Sequence, residues 1–129
     1  MIISVDKWKA RGVYLIRAEQ YARSMNSAFE KGDWDACVGN AIHSTISAQD
    51  AFCIHIKSQR YKGTDHREAA EFFRSIFQTD EHKKAAQRLF DLIQIKTDAE
   101  YGDKNFNEKE AGQAKLNAER FLAYVKALL

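Results

Sequence analysis

DWDACVGNAIHSTISAQDAFCIHIKSQR, residues 33–60, is the stretch that decides the fold. Trp34, Val38, Ala41, Ile42, Thr45, Ile46, Phe52, Cys53 and Ile56 recur at helical spacing and cover about half the circumference at roughly 100° per residue. An arc that wide predicts a helix from Asp33 to about Arg60 packed against more than one neighbour. Ala41, Ser44, Ser47, Ala48 and Ala51 are small enough to let neighbouring backbones come close. The opposite face carries a narrower polar stripe of Asn40, His43, Ser47, Asp50 and Lys57.

Upstream, Trp8, Leu15, Ala18, Ala22, Met25 and Phe29 mark the apolar face of a first helix between Lys7 and Lys31. Gly32 supplies its stop and Asp33 the next N-cap. So short a connection makes the two helices antiparallel neighbours. Downstream, Tyr61 to Asp65 reads as a polar turn, and Asp65 with Glu68 as a capping box opening a short third helix, His66 to Phe77. Its Phe72, Phe73, Ile76 and Phe77 are more than one face can hide, which suggests a partner surface.

Thr79 or Asp80 caps a fourth helix from about Glu81 to Tyr101. Its stripe is Ala85, Leu89, Leu92, Lys96 and Ala99, so a lysine stands where the pattern asks for an apolar residue. After a polar loop, Asn107 and Glu110 cap a fifth helix with its seam at Ala111, Ala114, Ala118, Phe121, Val125 and Leu128. The expected fold is all-α, one domain over residues 1–129, an up-down four-helix bundle with an additional short helix.

Composition agrees. The chain has no Pro, 6 Gly and 45% hydrophobic residues, a balance suited to compact helices. Its 20 basic and 18 acidic residues leave a net charge of +2, too small for a global pull toward nucleic acid or membrane. Cys37 and Cys53 lie roughly 24 Å apart on one helix, too far for a disulfide, and read as reduced core residues. Residues 1–5 are too short for a signal sequence and nothing approaches a membrane-spanning apolar run, so a cytoplasmic location with no membrane partner is expected.

Neither paired Glu-x-x-His motifs nor a Cys-x-x-Cys pair, a P-loop or a dinucleotide fingerprint occurs, so no metal and no cofactor is expected. Three constellations remain. His43, Ser47 and Asp50 share the polar stripe of the second helix, an arrangement that a hydrogen-bonding face explains better than a catalytic triad. Arg60 and His66 bracket the turn with five residues between them. An arginine that grips phosphate and an imidazole acid–base are the tools for cleaving RNA with its own 2′-hydroxyl. Lys96 and Glu100 form an i, i+4 pair beside Tyr101, and the inward Lys96 needs a carboxylate, from Asp50 or Glu100, or an anion.

Ile46-Ser47-Ala48-Gln49-Asp50-Ala51, the turn into Asp65-His66-Arg67-Glu68-Ala69, and Lys96-Thr97-Asp98-Ala99-Glu100-Tyr101 together resemble the HEPN (higher eukaryotes and prokaryotes nucleotide-binding) family. The resemblance covers helices two to five. It implies a bundle of four or five helices, a homodimer, and a nucleotidyltransferase or antitoxin partner in toxin-antitoxin or defence systems. Active family members resemble metal-independent ribonucleases with an Arg-x4–6-His motif late in the bundle; here Gln94 to Tyr101 holds neither Arg nor His. Lys96 with Ala99-Glu100-Tyr101 is similar to the Arg-x-x-Ala-Asp-Tyr variant of members without the nuclease signature.

The leading expectation is therefore a nucleotide-, RNA- or protein-binding bundle. Arg60 and Lys96 would contact phosphate, Asp50 would hold Lys96 or a ribose hydroxyl, and Tyr101 would stack. One alternative is a metal-independent endoribonuclease using Arg60 and His66. Another is an interaction module docking through its third helix.

Overall fold

The computed structural model describes all of residues 1–129 apart from the side chain of Glu100. A short strand β1 (Ile2–Ser4) precedes a π-helical segment (Ala10–Leu15) that runs directly into α1 (Ile16–Glu30). Then follow α2 (Trp34–Lys57), β2 (Gln59–Tyr61), α3 (His66–Ser75), α4 (Asp80–Tyr101) and α5 (Glu108–Leu128). The chain is mostly helical, as its periodicity requires. Among the described residues no helix is long and apolar enough to cross a membrane.

Helix α2 is the centre of the packing, and its wide apolar arc explains why. It touches the π-helical segment and every other helix, most extensively α1 and α5. Around its second half, Phe52, Phe73, Leu89, Phe121 and Val125 form one apolar cluster. Around its first half, Met25, Cys37, Val38, Leu92, Ala111 and Ala114 form another. The small residues act as expected: Ser44 is fully buried and its hydroxyl donates to the Ala18 carbonyl of α1 at 2.8 Å, a bond that needs the two backbones close together.

The helix ends follow local chemistry. Gly32 takes φ 75°, and the Asp33 amide donates back to Ala28 O at 2.9 Å, a Schellman-type stop for α1. Asp33 holds the N-cap position of α2, but its side chain makes no capping bond. Asp65 does cap α3 through the Glu68 amide, whereas the Glu68 carboxylate is taken by the Tyr61 hydroxyl instead of closing the box. Thr79 caps α4, and the Asn107–Glu110 capping box of α5 is complete.

Four features depart from the expectation. Residues 2–4 pair antiparallel with 59–61, Ile3 opposite Arg60, so a two-stranded ladder is added to the all-α reading. Helix α2 consequently stops at Lys57, where Ser58 turns left-handed with φ 52°, short of Arg60. Trp8, expected on the buried face of the first helix, is 63% exposed. The aromatic end of α3 turns inward: Phe73 is fully buried, and Phe72, Ile76 and Phe77 pack partly buried against the same cluster.

Candidate functional site

Asp50 lies half-buried on the polar stripe of α2. Two cations from other elements act on it through their charge. The charges acting on its carboxyl are those of Arg60, from β2, and Arg17, from α1. Both guanidiniums also gather on one ring, Arg17 at 5.2 Å and Arg60 at 5.6 Å from the centroid of Tyr14, within cation–π range. Each element contributes for a local reason. Strand alternation puts neighbouring side chains of β2 on opposite faces, and Tyr61 goes to Glu68 while Arg60 goes to Tyr14. Arg60 is further steadied by donating Nη1–H to the Tyr61 carbonyl at 3.2 Å. Tyr14 sits in the π-helical segment, a wide-turn geometry that recurs at functional sites.

Burial pushes the Asp50 carboxyl up from 3.8 to about 7, against the pull of Arg60 and Arg17. A carboxyl of that kind exchanges its proton near neutral pH and suits acid–base work or an ionisation-gated contact. One turn along α2, burial and the Asp50 charge both raise the Cys53 thiol, and burial raises Cys37. Both cysteines are buried free thiols, inert as nucleophiles. His55 is pushed below its ordinary value by burial and by Lys7 and Arg11, which extends the positive field toward the N-terminus. In the other direction along α2, exposed His43 stacks on Tyr21 of α1 at 5.1 Å between centroids.

Of the residues singled out from the sequence, Asp50 and Arg60 are linked by charge: the cations acting on the carboxyl are Arg60 and Arg17. Lys96 lines a cleft of about 440 Å³ with Val38, Ile42, His43, Lys104 and Phe106. The loop beside that cleft is anchored where the Phe106 amide donates to Asp35 Oδ1 at 2.7 Å. His66 is half-buried at the start of α3, and Tyr101 is 85% exposed at the end of α4. The side chain of Glu100 lies outside the described residues.

Tyr14 and Arg17 belong to the site without a motif to announce them. Their signal is the i, i+3 spacing on the polar side of the first helix, which a search for apolar periodicity passes over. His82 is likewise unannounced. It stands three residues before Ala85 on the inward stripe of α4, is fully buried, and stacks against Phe52 and Phe73 at 5.2 and 4.3 Å. Its Nε2 lies 2.7 Å from the Phe73 carbonyl, which only accepts, so Nε2 carries the proton and Nδ1 accepts from the Tyr124 hydroxyl, also 2.7 Å away. With both nitrogens satisfied and burial lowering its basicity, His82 is a neutral structural histidine.

Comparison with protein-family models, with curated proteins and with solved structures finds no match for this chain.

Proposed function

We propose that this protein is a HEPN-type helical bundle that binds the phosphate of a nucleotide or of RNA between Arg17 and Arg60. The observation that carries the reading is the convergence of two guanidiniums, from α1 and β2, on Tyr14 beside half-buried Asp50. Arginine presents planar forks that match phosphate oxygens, and an aromatic face steadies the fork without using its N–H donors. Asp50 is the gate. Ionised, it competes with phosphate for the same cations; protonated, it withdraws its charge and adds an O–H donor.

A phosphodiester dinucleotide, which does not itself titrate near neutrality, separates these effects. In a calorimetric titration it binds more tightly at pH 6 than at pH 8, and Asp50→Asn removes most of that difference. Arg60→Ala weakens binding by about 10- to 100-fold, the loss of a charge-assisted contact worth roughly 1.5–3 kcal/mol. Binding untouched by Arg60→Ala would overturn the assignment. Because Asp50 exchanges its proton near pH 7 beside Arg60, the same incubations with RNA in EDTA test the enzymatic alternative. Cleavage to 2′,3′-cyclic phosphate ends, lost in His66→Ala, would make the clamp catalytic.

A further inference from the structure

The N-terminal helical run alternates aromatic and basic side chains: Trp8, Arg11, Tyr14, Arg17 and Tyr21, separated by three, three, three and four residues. Ring contacts and charge tie the inner members to one another and to α2. Tyr21 stacks on His43, Arg17 and Arg60 lie over Tyr14, and the charges of Arg17 and Arg60 act on Asp50 as those of Arg11 and Lys7 act on His55. The two ends are open, with Trp8 63% and Tyr21 37% exposed. Gly12 is what lets the indole lie against the helix, since a Cβ there would come within 2.8 Å of the Trp8 ring. The charge is concentrated too. Residues 1–23 carry five basic and two acidic side chains, a surplus larger than the net +2 of the whole chain. Of those two acids, Glu19 is drawn to Lys126 of α5 at 3.5 Å.

We infer that a single-stranded nucleic acid lies along this seam, its bases stacking on Trp8 and Tyr21 and its backbone crossing the arginines between them. The inference rests on the phosphate clamp proposed above and extends it from one phosphate to a strand. Stacking platforms flanking a cationic groove are the general solution for unpaired nucleic acid, because every base offers a π-face whatever the sequence. A duplex hides those faces inside its stack. An acidic polypeptide would meet the cations but leave the aromatic platforms unused. Trp8 and Tyr21 are 13 residues apart, about 20 Å at the helical rise, which is about six nucleotides at the stacked spacing of about 3.4 Å.

The test is fluorescence anisotropy with labelled octauridylate, an eight-base-pair RNA duplex and poly-glutamate, beside the dinucleotide titration. The single strand is expected to bind at least tenfold more tightly than the duplex and to quench a tryptophan emission that Trp8→Phe removes. Trp8→Ala and Tyr21→Ala are each expected to weaken octauridylate about tenfold, with circular dichroism and melting unchanged. The quench in the unaltered protein keeps the test decisive should either variant fail to fold. Equal affinity for duplex, or poly-glutamate binding as tightly as octauridylate and indifferent to Trp8→Ala, would overturn the inference. If Arg60→Ala abolishes dinucleotide binding while neither aromatic substitution affects octauridylate, the strand path falls and the clamp stands. If neither ligand binds, the clamp falls with it.

Discussion

Asp50→Asn should stabilise this protein, and should do so only above about pH 5. In the folded chain the carboxyl is pushed up to about 7, whereas its ordinary value is 3.8. Between those two pH values the unfolded chain gives up the Asp50 proton and the folded chain keeps it. Linkage then makes stability fall as pH rises, because the native state holds the extra proton. The contribution is fully present below pH 4 and lost as pH climbs through about 7. At about 1.4 kcal/mol per pH unit of difference, the loss approaches about 4 kcal/mol at pH 8. Asparagine has the shape of the protonated acid and cannot ionise, so it escapes this penalty. The two proteins should have nearly equal stability at pH 4, with the variant gaining an advantage of up to about 4 kcal/mol at pH 8. Urea unfolding of both proteins at pH 4, 6 and 8, followed by far-ultraviolet circular dichroism, measures the difference directly, and subtraction removes the other carboxylates. A variant that becomes relatively less stable as pH rises would refute the reasoning. It would mean that Arg60 and Arg17 outweigh burial and hold Asp50 ionised.

Tyr124→Phe removes the hydroxyl that donates to His82 Nδ1 and leaves a buried acceptor unmatched, so stability should drop by about 1–3 kcal/mol; a urea-derived loss below about 0.5 kcal/mol would show that the hydrogen bond is not what holds the histidine. Ser58→Gly relieves a left-handed backbone at the end of α2, where φ is 52°, and should raise stability by about 1 kcal/mol, or the melting temperature by about 4 °C. A fall in melting temperature would show that the serine side chain itself supports the turn.

What could be read from the sequence divides along the range of the interactions. The Gly32 stop, the Asp65 and Thr79 caps and the Asn107–Glu110 box each depend on residues within a few positions of one another, and each stands where the pattern puts it. The ladder between residues 2–4 and 59–61 has no such local cause. Three residues on each side are too few to show strand alternation, and the partner lies almost half the chain away. Asp50 and Arg60 were legible as chemistry on a buried helix and at a turn. That the Arg60 charge acts on Asp50 was not, since it depends on β1 holding β2 in place. Lys96 shows the opposite case: its inward position offers Asp50, Glu100 or an anion as partner, and the residue lines a cleft beside His43, two helical turns along α2 from Asp50.

The central burial of α2 is also what makes its polar stripe reactive. Packed on so many sides, the helix leaves Asp50 too little water to ionise freely. Nor can α2 supply a neutralising cation from its own first six turns, because its only lysine or arginine is Lys57, at its last residue. The cations must be imported, and the fold imports two. Arg17 comes across the α1 seam, and Arg60 arrives on a strand pinned by the Ile3 pairing, by Val5 N–H on Ser58 O at 2.9 Å and by Lys62 N–H on Met1 O at 2.7 Å. Two guanidiniums against one carboxyl that is half-ionised near pH 7 leave between one and two uncompensated positive charges around Tyr14. Like charges drawn to one ring repel unless something shares them. A phosphate shares them, and shares them most fully when Asp50 is protonated and no longer competes for the two guanidiniums. The proton on Asp50 thus frees the clamp for phosphate, which is why its titration and phosphate binding should be inseparable.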